Sequence, residues 1–134
     1  MVKIKADTII ELAGFPKEHI ENAMQDVIKK VKALKGIKII KSETAETKQN
    51  KEFFSIFTEF EIEFSDFDSL LIYSFNFMPS SIDILEPENL SIKLEDLQYL
   101  LNDLIGKLHQ YDMGVKKLLL ENRALKNQLT DQKK

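Results

Sequence analysis

An α+β fold with a long C-terminal helix is predicted by three observations. Residues 2–12 and 53–64 alternate apolar and polar side chains with a period of two, the pattern of half-buried strands. Ile20, Ala23, Met24, Val27, Val31 and Leu34 fall on one face of a helix. Leu94, Leu97, Leu101, Leu104, Leu108, Tyr111, Val115, Leu118, Asn122, Leu125 and Leu129 recur at alternating intervals of three and four, a heptad seam. The chain of 134 residues, 43% apolar, has the length of one domain plus an appendage.

The first strand runs from Val2 to Leu12, with Lys3, Lys5, Asp7 and Glu11 on its polar side. Gly14-Phe15-Pro16 breaks it, and Pro16 opens the first helix, where a missing N–H costs nothing. Lys29, Lys30, Lys32 and Lys35 crowd the end of that helix, and Gly36 stops it. Ile37 to Ser42 is a short, Lys-bearing strand suited to a sheet edge. Glu43 to Lys51 has no apolar periodicity and is expected to be a mobile connection. Phe53 to Phe64 should be a central strand, with Phe54, Ile56, Thr58, Phe60, Ile62 and Phe64 inward and Glu59, Glu61 and Glu63 outward. Ser65 with Asp68 resembles a capping box for a second helix from Asp66 to about Met78, which Pro79 ends. Ser80 to Glu86, with Ile82 and Ile84 on one face, is the last strand, and Pro87-Glu88-Asn89 turns into the long helix.

Strand, helix, strand, strand, helix, strand folds most economically as a ferredoxin-like βαββαβ sandwich. Its antiparallel sheet has the spatial order fourth, first, third, second, and both helices lie on one face. Residues 1–90 are expected to form this domain, 91–131 the long helix, and 132–134 a frayed tail. On the open face, Lys3 and Lys5 should meet Glu59, Glu61 and Glu63 across neighbouring strands.

Composition narrows the chemistry. The chain has no cysteine, which excludes disulfides, thiolate metal sites and cysteine nucleophiles and fits a cytoplasmic compartment. The N-terminus alternates apolar and charged residues, so it reads as neither signal peptide nor membrane anchor. The net charge of −3 hides a segregation: residues 1–51 hold 11 basic and 7 acidic side chains, 52–112 hold 2 and 13, and 113–134 hold 6 and 2. Such segregation favours ordered self-association or a charged partner, while an overall acidic chain is a poor default nucleic-acid binder.

No constellation reads as an active site. His19 and His109 lack metal-spaced partners, and Glu59, Glu61 and Glu63 lack the flanking loop chemistry of a cation site. The four glycines are scattered, so no phosphate loop exists. Ser80-Ser81 follows a helix C-terminus, whose carbonyls disfavour an anion, and reads as a turn. Phe53 and Phe57 stand among acids that repel phosphate, and are expected under the long helix or at a subunit contact. No catalytic, cofactor-binding or metal-ligating residue is assigned.

The heptad register places Leu94, Leu101, Leu108, Val115, Asn122 and Leu129 at a, and Leu97, Leu104, Tyr111, Leu118, Leu125 and Gln132 at d. A single Asn at a favours a parallel two-stranded coil. Glu121 at g faces Lys126 at e of a partner helix, and Lys107 similarly faces Asp112. The expected dimer interface is therefore Leu108, Tyr111, Val115, Leu118, Asn122, Leu125 and Leu129, flanked by Glu121 and Lys126. Leu100 and Ile105 broaden the first half of the helix, which is expected to pack on the domain, leaving 115–129 as the dimeric coiled coil. Gly106 and Gly114 would permit a kink between the halves.

The run Pro79-Ser80-Ser81-Ile82-Asp83-Ile84-Leu85-Glu86-Pro87, with Leu101-Asn102-Asp103-Leu104 and Leu108-His109, resembles a family of small uncharacterised archaeal proteins, a resemblance that implies no activity. The domain is also similar to ACT-type regulatory modules, which bind amino acids at subunit interfaces. Gly14-Phe15-Pro16 would stand where those modules carry their ligand loop.

The expected function is a non-enzymatic homodimeric interaction or adaptor protein, presenting two ferredoxin-like domains on a parallel coiled coil. Its partners would be itself and another protein, with no cofactor and no membrane. An ACT-like small-molecule sensor is the alternative. A third reading is a nucleic-acid-associated protein using the Lys-rich first helix and basic tail.

Overall fold

The computed structural model describes residues 3–132, so Val2 and the last two lysines lie outside the described residues. The chain is α+β. Strands β1 (Ile4–Gly14), β2 (Ile37–Thr44), β3 (Lys48–Asn50), β4 (Phe53–Phe64) and β5 (Ser81–Glu86) alternate with helices α1 (Lys17–Ala33) and α2 (Phe67–Phe77), and helix α3 (Leu94–Gln132) follows. The chain divides between Leu90 and Ser91 into two compact units.

In the first unit the antiparallel sheet runs in the order β2-β4-β1-β5, with β3 paired to β4 off this path. Five strands thus stand where the sequence pattern gave four. The fifth corrects the expected mobile connection. β2 extends to Thr44, Ala45 N–H donates to Phe57 O at 3.0 Å, and Lys48 to Asn50 then pair with Ser55 to Phe53. β3 therefore continues the β2 edge along β4 and turns back through a hairpin whose first loop residue, Lys51, has φ 59°. All three β3 residues are exposed, held by backbone pairing and by the Gln49 amide, which donates to Lys51 O at 3.2 Å, and no apolar period betrays them.

Alternation sorts the two sheet faces. Ile4, Ala6, Thr8 and Ile10 of β1 lie beside Phe64, Ile62, Phe60 and Thr58 of β4, all buried under the helices. α1 contributes Ile20, Met24, Ile28 and Val31 to this core, and α2 contributes Leu70 and Tyr73. Ile28 was not on the expected face of α1; Ala23 and Val27, which were, are only half-buried. Pro16 is the residue before the first helical turn, not within it, and its carbonyl accepts from His19 N–H and Ile20 N–H.

Gly36 has φ +79°, and a Cβ there would collide with the hydroxyls of Ser69 and Ser65, so only glycine fits where the chain leaves α1 for β2. The N-cap of α2 is Asp66, one residue later than the expected Ser65: its carboxylate accepts from Ser69 N–H at 2.8 Å. The backbone and hydroxyl of Ser69 both hold the Asp66 carboxyl below its usual value. Asp66→Ala should destabilise the unit by about 1 kcal/mol at neutral pH. Because the folded-state pKa is depressed, this contribution is present above the ordinary value of 3.8 and lost as pH falls below it. Melting temperatures of the two proteins should therefore converge in acid, and an unchanged gap from pH 7 to pH 3 would remove the charged cap from the account.

Candidate interaction surface

Helix α3 spans 39 residues, about 58 Å at 1.5 Å per residue. Its sequence is rich in Leu, with several Lys and Gln, all good helix formers, and Glu95 and Asp96 sit in the first turn, where the helix dipole favours them. Leu97 N–H closes that turn onto Lys93 O at 3.0 Å. Gly106 and Gly114 each weaken the helix by about 1 kcal/mol relative to Ala, yet the helix is continuous through both and on past Thr130, whose hydroxyl bonds back to Lys126 O.

No residue of α3 is buried. Leu108, Tyr111, Val115, Leu118, Leu125 and Leu129 are each 54–65% exposed, and Asn122, Glu121 and Lys126 are exposed with them. Helical geometry brings these nine residues onto one stripe and its margins. Within the chain, Asp112 pairs with Lys116 one turn on, at 2.9 Å.

The open face of the sheet is charged. Lys3 Nζ lies 3.3 Å from Glu63 and Lys5 Nζ 3.4 Å from Glu61, the expected cross-strand pairs taken diagonally. Directly opposed positions also carry like charges, Asp7 with Glu61 and Glu43 with Glu59, around a shallow hollow that Lys41 shares. Among the described residues no group of three or more His, Cys, Asp or Glu is placed to hold a metal ion, and His19 and His109 are both exposed. Phe53 is 59% exposed on this face and Phe57 half-buried beside Glu11. Ser80 has a structural use, its N–H and hydroxyl both donating to Ile9 O at the start of β5.

One feature of the first unit carried no sequence signal. Ile82 and Ile84 lie opposite Thr8 and Ala6, on the helix-covered face, yet are 40% and 52% exposed. Ile84, with Phe67, Leu70, Leu85 and Pro87, borders an open apolar hollow of about 400 Å³ between α2 and β5. Among the described residues no helix is long and apolar enough to cross a membrane.

Residues 5–132 match the MJ0538 family. No curated protein and no solved structure matches the chain.

Proposed function

The chain belongs to the MJ0538 family, a small uncharacterised archaeal family, and for it we propose a non-enzymatic, cytoplasmic adaptor role. Two ferredoxin-like domains are carried on a parallel coiled coil and presented to another protein. One observation carries this reading: a helix of 39 residues with no buried side chain and a leucine stripe exposed along its length. Water-exposed apolar stripes of that length are stabilised by burial against a like stripe. Asn122 at an a position supports two parallel strands, because only an Asn opposite an Asn satisfies both amides. Glu121 and Lys126 support the same register. The wild-type chain is expected to have the mass of two chains or more by light scattering at micromolar concentration; a monomer at every concentration would remove the proposal.

A second reading, small-molecule sensing, is favoured by the apolar hollow beside β5, whose volume falls in the range of ligand pockets. It separates from the first by melting temperature. A sensor is stabilised by its ligand across a panel of amino acids and nucleotides, whereas an adaptor is indifferent to all of them.

A further inference from the structure

Opposite the leucine seam, α3 carries a second apolar line. Tyr99, Gly106, Met113 and Leu120 follow one another at intervals of seven, the f positions of the heptad. At 100° per residue this line lies roughly 170° around the helix from the middle of the a/d seam. In a parallel two-stranded coil it faces straight outward, where polar residues are the rule. Tyr99, Met113 and Leu120 are nevertheless large, apolar and 59–64% exposed. Gly106 is equally unexplained within the chain, since an added Cβ there would meet nothing within 4 Å.

The charges beside the line change sign along it. Its N-terminal half is flanked by Glu95 and Asp103, its C-terminal half by Lys117 and Arg123. We propose that this line docks against the same line of a second copy, antiparallel. With Tyr99 opposite Leu120, Gly106 falls opposite Met113, so the larger side chain fills the gap that the glycine leaves. The same register sets Asp103 beside Lys117 of the second copy along one flank, and Glu95 beside Arg123 of the second copy along the other. A parallel alignment would set acid against acid and base against base. These exposed ion pairs fix direction and register, and the apolar line supplies the attraction.

Symmetry then decides the size of the assembly. A parallel dimer has two outward lines on opposite sides, and a self-complementary contact repeated on both does not close. Dimers therefore link side by side into open rows that lengthen with concentration. The row rests on the parallel seam proposed above; the antiparallel line contact does not.

Sedimentation of the full chain over a range of concentrations tests both. Wild-type mass should climb beyond two chains as concentration rises. Tyr99→Glu, Met113→Glu and Leu120→Glu together, all to a good helix former, should cap it at two chains with helical circular dichroism retained. Asp103→Lys or Lys117→Asp alone should move the growth to several-fold higher concentration, and the two combined should restore it, because the swapped charges meet again only in the antiparallel register. A triple variant whose mass equals wild type at every concentration overturns the line. A double swap no better than its singles overturns the antiparallel register. Failure of the seam reads out separately, as wild-type mass in a Leu118→Lys, Leu125→Lys chain.

Discussion

A chain carrying Leu118→Lys and Leu125→Lys is expected to lose the proposed parallel dimer while its α+β unit stays folded. Both leucines lie on the exposed stripe at d positions, so in a parallel coil each would insert among four side chains of the facing helix. Burying a leucine is worth about 1.5–3 kcal/mol. Losing four per dimer is commensurate with the roughly 8 kcal/mol that holds a micromolar complex. The replacements also force four ammonium groups into the seam, where desolvation opposes them further. Lysine is a good helix former, so α3 itself is not broken. The core should be indifferent, because its buried residues run from Ile4 to Tyr73 and none lies on α3. Light scattering reads the mass and near-ultraviolet circular dichroism the packing of Tyr73. An unchanged mass would sink the coiled coil, and a lost core signal would mean that α3 supports the domain in a way the proposal does not include.

Tyr73→Phe is expected to destabilise the first unit by about 1–3 kcal/mol. The Tyr73 hydroxyl bonds Thr8 Oγ1 at 2.5 Å across 65 residues of sequence, and both side chains are fully buried. Removing one hydroxyl strands the other away from water. Removing both, in Thr8→Val with Tyr73→Phe, should cost less than the two single changes together, which a double-mutant cycle in urea measures. The ring stays in place, packed between Phe64 and Phe77 at centroid distances of 5.4 and 5.6 Å. Burial pushes the Tyr73 phenol up from 10.0 to about 12, against the opposing pull of the Thr8 hydrogen bond. Its contribution to stability is therefore complete below pH 10 and lost as pH rises from 10 toward 12, since the unfolded chain ionises first. Wild type should weaken more steeply than Tyr73→Phe across that window. Parallel slopes would show that the phenol is not what alkaline solution attacks.

Much of the architecture was legible in the chain because it rests on periodicity. The alternation in residues 53–64 placed every inward side chain of β4, and the seam gave the start and extent of α3 to within a few residues. An element without apolar contacts was not legible. β3 is polar and exposed, and its turn uses Lys51 at positive φ where Asn or Gly would have announced a hairpin. The cap of α2 was misplaced by one residue because Ser65 and Asp66 are both good N-caps and only geometry chooses between them. The stripe proposed as the dimer interface came from spacing, whereas the line opposite it drew notice only once Tyr99, Met113 and Leu120 were found exposed around a glycine that nothing crowds.

The sequence by itself determined an α+β chain with two alternating strands and one long heptad helix, since hydrophobic period follows directly from backbone geometry. Only the tertiary structure decided that Thr8 and Tyr73 share a hydrogen bond, that Gly36 must be glycine, and that Ile82 and Ile84 remain exposed on the covered side of the sheet. Those facts depend on which surfaces meet across long stretches of chain, and a linear pattern holds no record of that.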